Sequence, residues 1–136
     1  LKYLLDTNVC IDYVNRRYPS VVERVQRSLP EDLCLSSVVV AELRYGADRS
    51  ARGAQNHERL DILTEEIQCV DFDLSAARAF GRLRSALEAV GAPIGPYDMM
   101  ISAHALSLGL VLVTDNEGEF RRVAGLKVEN WRIPGT

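Results

Sequence analysis

Residues 2–8 read Lys2-Tyr3-Leu4-Leu5-Asp6-Thr7-Asn8, and residues 110–116 read Leu110-Val111-Leu112-Val113-Thr114-Asp115-Asn116. Both are short apolar runs that close on polar residues, Asp6-Thr7-Asn8 and Thr114-Asp115-Asn116. A run this short, with no polar alternation, reads as a strand buried on both faces. The polar residues after it can cap a helix.

Working outward, the pattern predicts a short helix over about 9–15 and a second from Pro19 to about Ser28. Pro30-Glu31-Asp32 reads as a turn. Leu33-Cys34-Leu35 is a short strand, and Ser36-Ser37 caps a helix over about 38–47, with Gly46 marking its end. Residues 48–54 read as a polar connection before a helix over about 55–65 and a strand at Ile67–Val70. Asp73 or Ser75 starts a longer helix carrying Ala76, Phe80, Leu83, Leu87 and Val90 at three- and four-residue spacing. Asp71 and Asp73 read as a strand end and a helix cap. After the loop Gly91-Ala92-Pro93-Ile94-Gly95, Pro96 opens a helix over 97–108 that Gly109 ends. A weak helical turn over about 117–123 and an edge strand at Val128–Trp131 complete the chain. Strands alternating with helices predict an α/β fold. It is a three-layer sandwich with a short central parallel sheet of about four to five strands, flanked by helices. A length of 136 residues suits one domain over 1–136.

Composition narrows the function. Hydrophobic residues at 47% and charged residues at 26% are those of an ordinary globular chain. No apolar run reaches the roughly 20 residues that span a bilayer. Residues 1–6 reach an acid too early for a signal peptide. Cys10, Cys34 and Cys69 have no zinc-site spacing and read as buried reduced thiols. The expectation is a cytoplasmic chain with no membrane contact. A net charge of −3 gives no global field favouring nucleic acid. The basic residues are nevertheless almost all arginines, grouped at Arg44–Arg49–Arg52, Arg82–Arg84 and Arg121–Arg122. Arginine suits bidentate phosphate contacts, although each group also reads as a solvated surface.

In open α/β sheets ligands bind beyond the carboxyl ends of the strands. The first strand ends in Asp6, the second leads into a helix bearing Glu42, and the fourth ends in Thr114-Asp115. Val38, Glu42 and Tyr45 fall on one helix stripe; Asp98, Ile101, Ala105 and Leu108 fall on another. A carboxylate on an apolar stripe is costly unless paired or metal-bound. Asp98 also sits in a first helical turn, where the dipole favours its ionised form. Each acid has a plainer reading as a cap, an ion-paired or a turn residue, and Asp12 reads as solvent-facing. Together they are coherent as a cluster that a hard divalent cation relieves of mutual repulsion. Such a site suits phosphodiester hydrolysis by metal-activated water.

The blocks around these acids resemble the PIN-domain ribonucleases, in particular the VapC toxins of toxin–antitoxin pairs. They are Leu4-Leu5-Asp6-Thr7-Asn8, residues Ser36–Ala47 with Glu42, residues Gly95–Ala105 with Asp98, Leu112–Phe120, and the ending Gly125–Trp131. The resemblance implies a magnesium (or manganese) endoribonuclease with Asp6, Glu42 and Asp98 as metal-binding acids. It leaves the fourth acid open between Asp115 and Glu119, with Glu119 favoured as the outer member and Asp115 or Asn116 nearer the metal. Thr7 and Thr114 match positions where a hydroxyl orients a carboxylate or a water. His104 lies about two turns beyond Asp98 and reads as structural. The resemblance also implies structured RNA, often transfer RNA, as substrate, a homodimer, and a VapB-type antitoxin whose tail occupies the groove.

Two other readings are distinguishable. An aspartate phosphotransfer domain, receiver-like or phosphatase-like, needs a lysine near the site, and Lys2 and Lys127 are badly placed. The phosphatase type also needs an acid where Asn8 stands. A non-catalytic PIN-like interaction module would lack the acids that are present here.

Overall fold

The computed structural model describes residues 1–135. One sheet of five strands lies at its centre. These are β1 (Tyr3–Leu5), β2 (Leu33–Ser36), β3 (Gln68–Val70), β4 (Val111–Val113) and β5 (Val128–Glu129). Their spatial order is β3-β2-β1-β4-β5, and every pairing is parallel. Successive residues of a strand face opposite sides of a sheet. Leu4 and Leu5 are both fully buried, as are Cys34 and Leu35, so both faces are covered.

The chain leaves β1 outward to β2 and β3, then crosses back to β4 and β5 on the other flank. Between β1 and β2 run α1 (Thr7–Val14) and α2 (Pro19–Arg27). Between β2 and β3 run α3 (Ser37–Arg49) and α4 (Gly53–Glu66). Between β3 and β4 run α5 (Leu74–Ala89) and α6 (Pro96–Leu108), and α7 (Glu117–Phe120) precedes β5. Right-handed crossovers place α1–α4 on one face and α5 and α6 on the other. The order reverses between β1 and β4, which makes the gap beyond their carboxyl ends the switch point where such folds bind ligands. The α5–α6 pair carries a smaller core of Leu83, Leu87, Ile94, Met99 and Ala103, while Ile101 and Ala105 join the main one.

The expected sandwich is therefore present, with five strands. Several boundaries differ. The first helix starts at Thr7 rather than residue 9, because Asp6 itself caps it. The third runs through Gly46 to Arg49, because buried Ala47 keeps its last turn packed. The polar connection thus shrinks to residues 50–52. At Gly53 a Cβ would lie 3.0 Å from the Ala47 carbonyl oxygen, so the tight approach of α4 to the end of α3 favours glycine. Gly109 closes α6 as expected, in the left-handed region at φ 67°. The last strand is only Val128–Glu129, at the sheet edge, and Trp131 is buried just after it. Cys10 and Cys34 are buried, but Cys69 is exposed, on the outermost strand β3. No helix among the described residues is long and apolar enough to cross a membrane.

Candidate active site at the carboxyl end of the sheet

Asp6 is the first residue beyond β1 and is almost fully buried. Its Oδ1 accepts from the Thr7 backbone N–H at 2.8 Å, as an N-cap does. Its Oδ2 accepts from Thr114 Oγ1 at 2.7 Å, and Thr114 is the first residue beyond β4. The switch point is therefore bridged by a hydroxyl that orients the Asp6 carboxylate. Thr114 Oγ1 also accepts from the Asn116 N–H at 3.1 Å, which fixes the hydroxyl's own direction.

Thr7 links the next acid. Its Oγ1 donates to Glu42 Oε1 at 2.8 Å, drawing α3 toward the start of α1. Tyr45 is 67% exposed, so the expected apolar stripe through Val38, Glu42 and Tyr45 is not continuous. Glu42 is half-buried because it faces Thr7, not because it lies in a continuous apolar row. The Asp98 stripe is likewise shorter than expected. Ile101 and Ala105 are fully buried, but Leu108 reaches solvent.

Asp98 occupies the first turn of α6, and Glu119 faces it from α7. Glu119 Oε1 accepts from the Gly95 N–H at 3.0 Å, and its Oε2 accepts from Asn116 Nδ2 at 2.5 Å. Burial pushes the Asp98 carboxyl up to about 7, with further contributions from the charges of Asp6, Glu119 and Glu42 and from a hydrogen bond with Glu119. A hydrogen bond between two carboxyls requires that one of them carry a proton. The helix dipole expected to keep Asp98 ionised is outweighed. Burial also raises Asp6, reinforced by Glu42 and Asp115 and opposed by the bonds from Thr114 and Thr7.

Asp115 stands apart. Its Oδ1 accepts from Asn8 Nδ2 at 3.3 Å, and its Oδ2 pairs with Arg132 Nη1 at 3.1 Å. The same guanidinium grips Asp12 side-on, Nε to Oδ2 at 2.6 Å and Nη2 to Oδ1 at 3.1 Å. Asp12 was expected to face solvent. It is 1% exposed, on the inner side of α1, and Arg132 is what makes that burial tolerable. The sequence reading missed Arg132. A helix acid on the turn after the Asp6 cap, with arginine just past buried Trp131, was the available signal.

The structure thus brings Asp6, Glu42, Asp98, Asp115 and Glu119 to one end of the sheet. It leaves the other candidates elsewhere. His104 is buried as a structural residue, with Nδ1 2.8 Å from Ser36 Oγ and its ring edge-on against Phe72, but among the described residues its Nε2 lacks the hydrogen-bond partner a satisfied core histidine would have. Asp73 caps α5 through the Ala76 N–H. Arg44 is bound to His57 and Asp61, on the α3–α4 side. Lys2 and Lys127 are exposed and precede β1 and β5, at the opposite ends of those strands from Asp6. Among the described residues no three His, Cys, Asp or Glu side chains are grouped tightly enough to hold a metal ion unaided.

A parallel sheet ordered 3-2-1-4-5, with carboxylates gathered at its switch point, defines a PIN-like α/β domain. The family model for the PIN domain matches residues 3–126, and the chain belongs to that family, within it to the VapC ribonucleases. It is 41% identical over 131 residues to the tRNA(fMet)-specific endonuclease VapC of Shigella flexneri, covering 96% of this chain and 98% of that one. It is 36% identical to Ribonuclease VapC2 of Rickettsia felis, covering 95% and 97%. Among solved structures it is similar to DNA-bound VapBC from Salmonella typhimurium, with a TM-score of 0.92 at 38% identity over 96% of this chain and 98% of that one.

Proposed function

We propose that this chain is the toxin of a toxin–antitoxin pair, a single PIN-like domain over residues 1–136 that cuts structured RNA with the help of a divalent cation. The observation that carries the reading is the convergence of Asp6, Glu42, Asp98 and Glu119 at the β1–β4 switch point, with Asp98 pushed up to about 7 by burial and by the other three. Clustered acids with raised affinity for protons are sites where a cation is welcome. The donors are all carboxylate and hydroxyl oxygens, which suits magnesium or manganese. Magnesium binds through few carboxylates and keeps several waters, so a site with few direct carboxylate ligands suits it.

Asp6, Glu42 and Asp98 would hold the ion, with Glu119 as the outer acid. When bound, the ion supplies Lewis acidity toward a phosphate oxygen and makes water a better nucleophile. The chain's own residues do the rest. Thr114 commits its hydroxyl to Asp6 and Thr7 commits its hydroxyl to Glu42, which orients the two carboxylates. Asp98, which burial pushes up to about 7, would hold the ion in its ionised form. Glu119, held by Gly95 and Asn116, is placed to accept a proton from water at the edge of the cluster. A carboxylate cluster repels RNA unless a cation intervenes, so binding and chemistry share one requirement.

Names of relatives support the substrate and partner. Two are called tRNA(fMet)-specific endonucleases, and similar solved structures are VapBC complexes. The substrate proposed here is therefore transfer RNA, the initiator tRNA first, and the partner a VapB-type antitoxin bound to a homodimer of this chain. The test is cleavage of purified tRNA with magnesium, with manganese and with excess chelator. Specific ends with either ion and none with chelator are the expected result. Cleavage that survives chelation would overturn the metal-dependent reading. Trapped phosphate on Asp6 would favour phosphotransfer instead.

A further inference from the structure

Arg132 is held from every side. Asp12 takes its Nε and Nη2, its guanidinium carbon lies 4.5 Å over the Tyr18 ring, its N–H donates to Asn130 Oδ1, and Ser20 Oγ donates to its carbonyl. Asp12 is itself buried, so the guanidinium is a fixed charge rather than a mobile surface one. One donor, Nη1, is left over, and it is spent on Asp115 at 3.1 Å. Among the ion pairs of the described residues, this is the one that reaches any of the five clustered acids.

We infer that Arg132 is a positioning residue that holds Asp115 out of the cation site and sets how tightly the cluster binds a divalent ion. This rests on the metal-dependent reading above. Asp115 lies directly after Thr114, whose hydroxyl orients Asp6, and its charge is felt at Asp6. Free of Arg132, it is a further carboxylate beside the ion. Paired to Arg132 and Asn8, it has both oxygens committed to partners outside the Asp6–Asp98 group. The arrangement keeps the cluster to the acids near Asp98 and restrains its affinity, which leaves the ion exchangeable and the acids accessible to phosphate. It also ties the tail after β5 to α1, so the setting of the site depends on a contact 120 residues apart in sequence.

Binding of manganese(II) alone, followed by the paramagnetic signal of the free ion, tests this without any RNA. Arg132→Gln is expected to tighten binding by about threefold or more, the effect of one unscreened carboxylate within several ångströms. Arg132→Lys keeps the charge but not the fork that reaches Asp12 and Asp115 together, and is expected to fall between wild type and Arg132→Gln. Because Arg132→Gln strands buried Asp12, the pair Asp12→Asn with Arg132→Gln is measured beside it and is expected to tighten binding equally. Adding Asp115→Asn should return either variant to the wild-type value. A structural role alone would change melting temperature but not produce this cancellation by Asp115→Asn. Affinity unchanged in both charge-removing variants overturns the inference, as does tightening that persists without the Asp115 carboxylate. No manganese binding by the unaltered chain overturns both this inference and the metal-dependent reading.

Discussion

Thr114 Oγ1 donates to Asp6 Oδ2 at 2.7 Å, joining the ends of β4 and β1 across the point where the strand order reverses. Two residues 108 apart in sequence thereby define the floor of the site. Buried Asp6 has its other oxygen on the Thr7 N–H, so loss of the Thr114 bond leaves half of a buried carboxylate unsatisfied.

Thr114→Val keeps the shape of the side chain and removes that donor. It is expected to destabilise the fold by about 1–3 kcal/mol, the cost of an unsatisfied buried acceptor. Cleavage should fall about tenfold or more, because the carboxylate is no longer oriented. Thr114→Ser should retain most of both. Denaturant melts and initial rates on tRNA read the two effects separately.

Asp98 makes the metal-free protein sensitive to pH. Its folded value of about 7 stands above its ordinary value of 3.8. The native state therefore holds a proton that the unfolded state has lost between those values. The stabilisation is full below about pH 4 and is lost as pH rises through about 7. Asp98→Asn should accordingly stabilise the ion-free chain at pH 8 by on the order of 1 kcal/mol, after allowance for solvent screening of a half-buried group. It should do little at pH 4. Cation affinity of the unaltered chain should rise with pH through about 7, since the ion competes with that proton.

The Asp12–Arg132 pair predicts an asymmetry. Asp12 is 1% exposed and the Arg132 side chain 28%. Arg132→Ala strands a buried charge and should cost about 3 kcal/mol or more. Asp12→Ala leaves an arginine that can reach water and should cost less. Equal losses would mean that Asp12 relaxes to solvent in the variant.

The thiols offer a check on the fold alone. A thiol reagent should label only Cys69 in the native chain, and all three cysteines in denaturant. Burial places Cys10 and Cys34 out of reach and pushes the Cys34 thiol up to about 11, while Cys69 is exposed.

The architecture was legible because its signals are local. Leu4-Leu5 and Leu112-Val113 are too short and too uniformly apolar for anything but buried parallel strands; Pro96, Asp73 and Ser36 start helices, and Gly109 ends one by its left-handed backbone. Gly46 misled for the converse reason: a glycine ends a helix only where the chain needs positive φ, and packing of Ala47 overrides it. Asp6 and Asp115 were legible as strand-end residues, whereas the apolar stripes drawn around Glu42 and Asp98 are interrupted by exposed Tyr45 and Leu108. The partners of the acids were not legible, because Arg132 meets Asp12 and Asp115 only after the tail folds back on α1. Nor could local pattern tell that burial would outweigh the helix dipole at Asp98, since that depends on Glu119 arriving from another element.

Asp6→Asn is the most direct test of the account. The substitution keeps the side-chain shape and the cap geometry while removing the charge at the centre of the cluster. With magnesium and purified initiator tRNA, the account predicts cleavage reduced at least about a hundredfold, with a melting temperature within a few degrees of the unaltered chain. Cleavage at the original rate by the folded variant would contradict it.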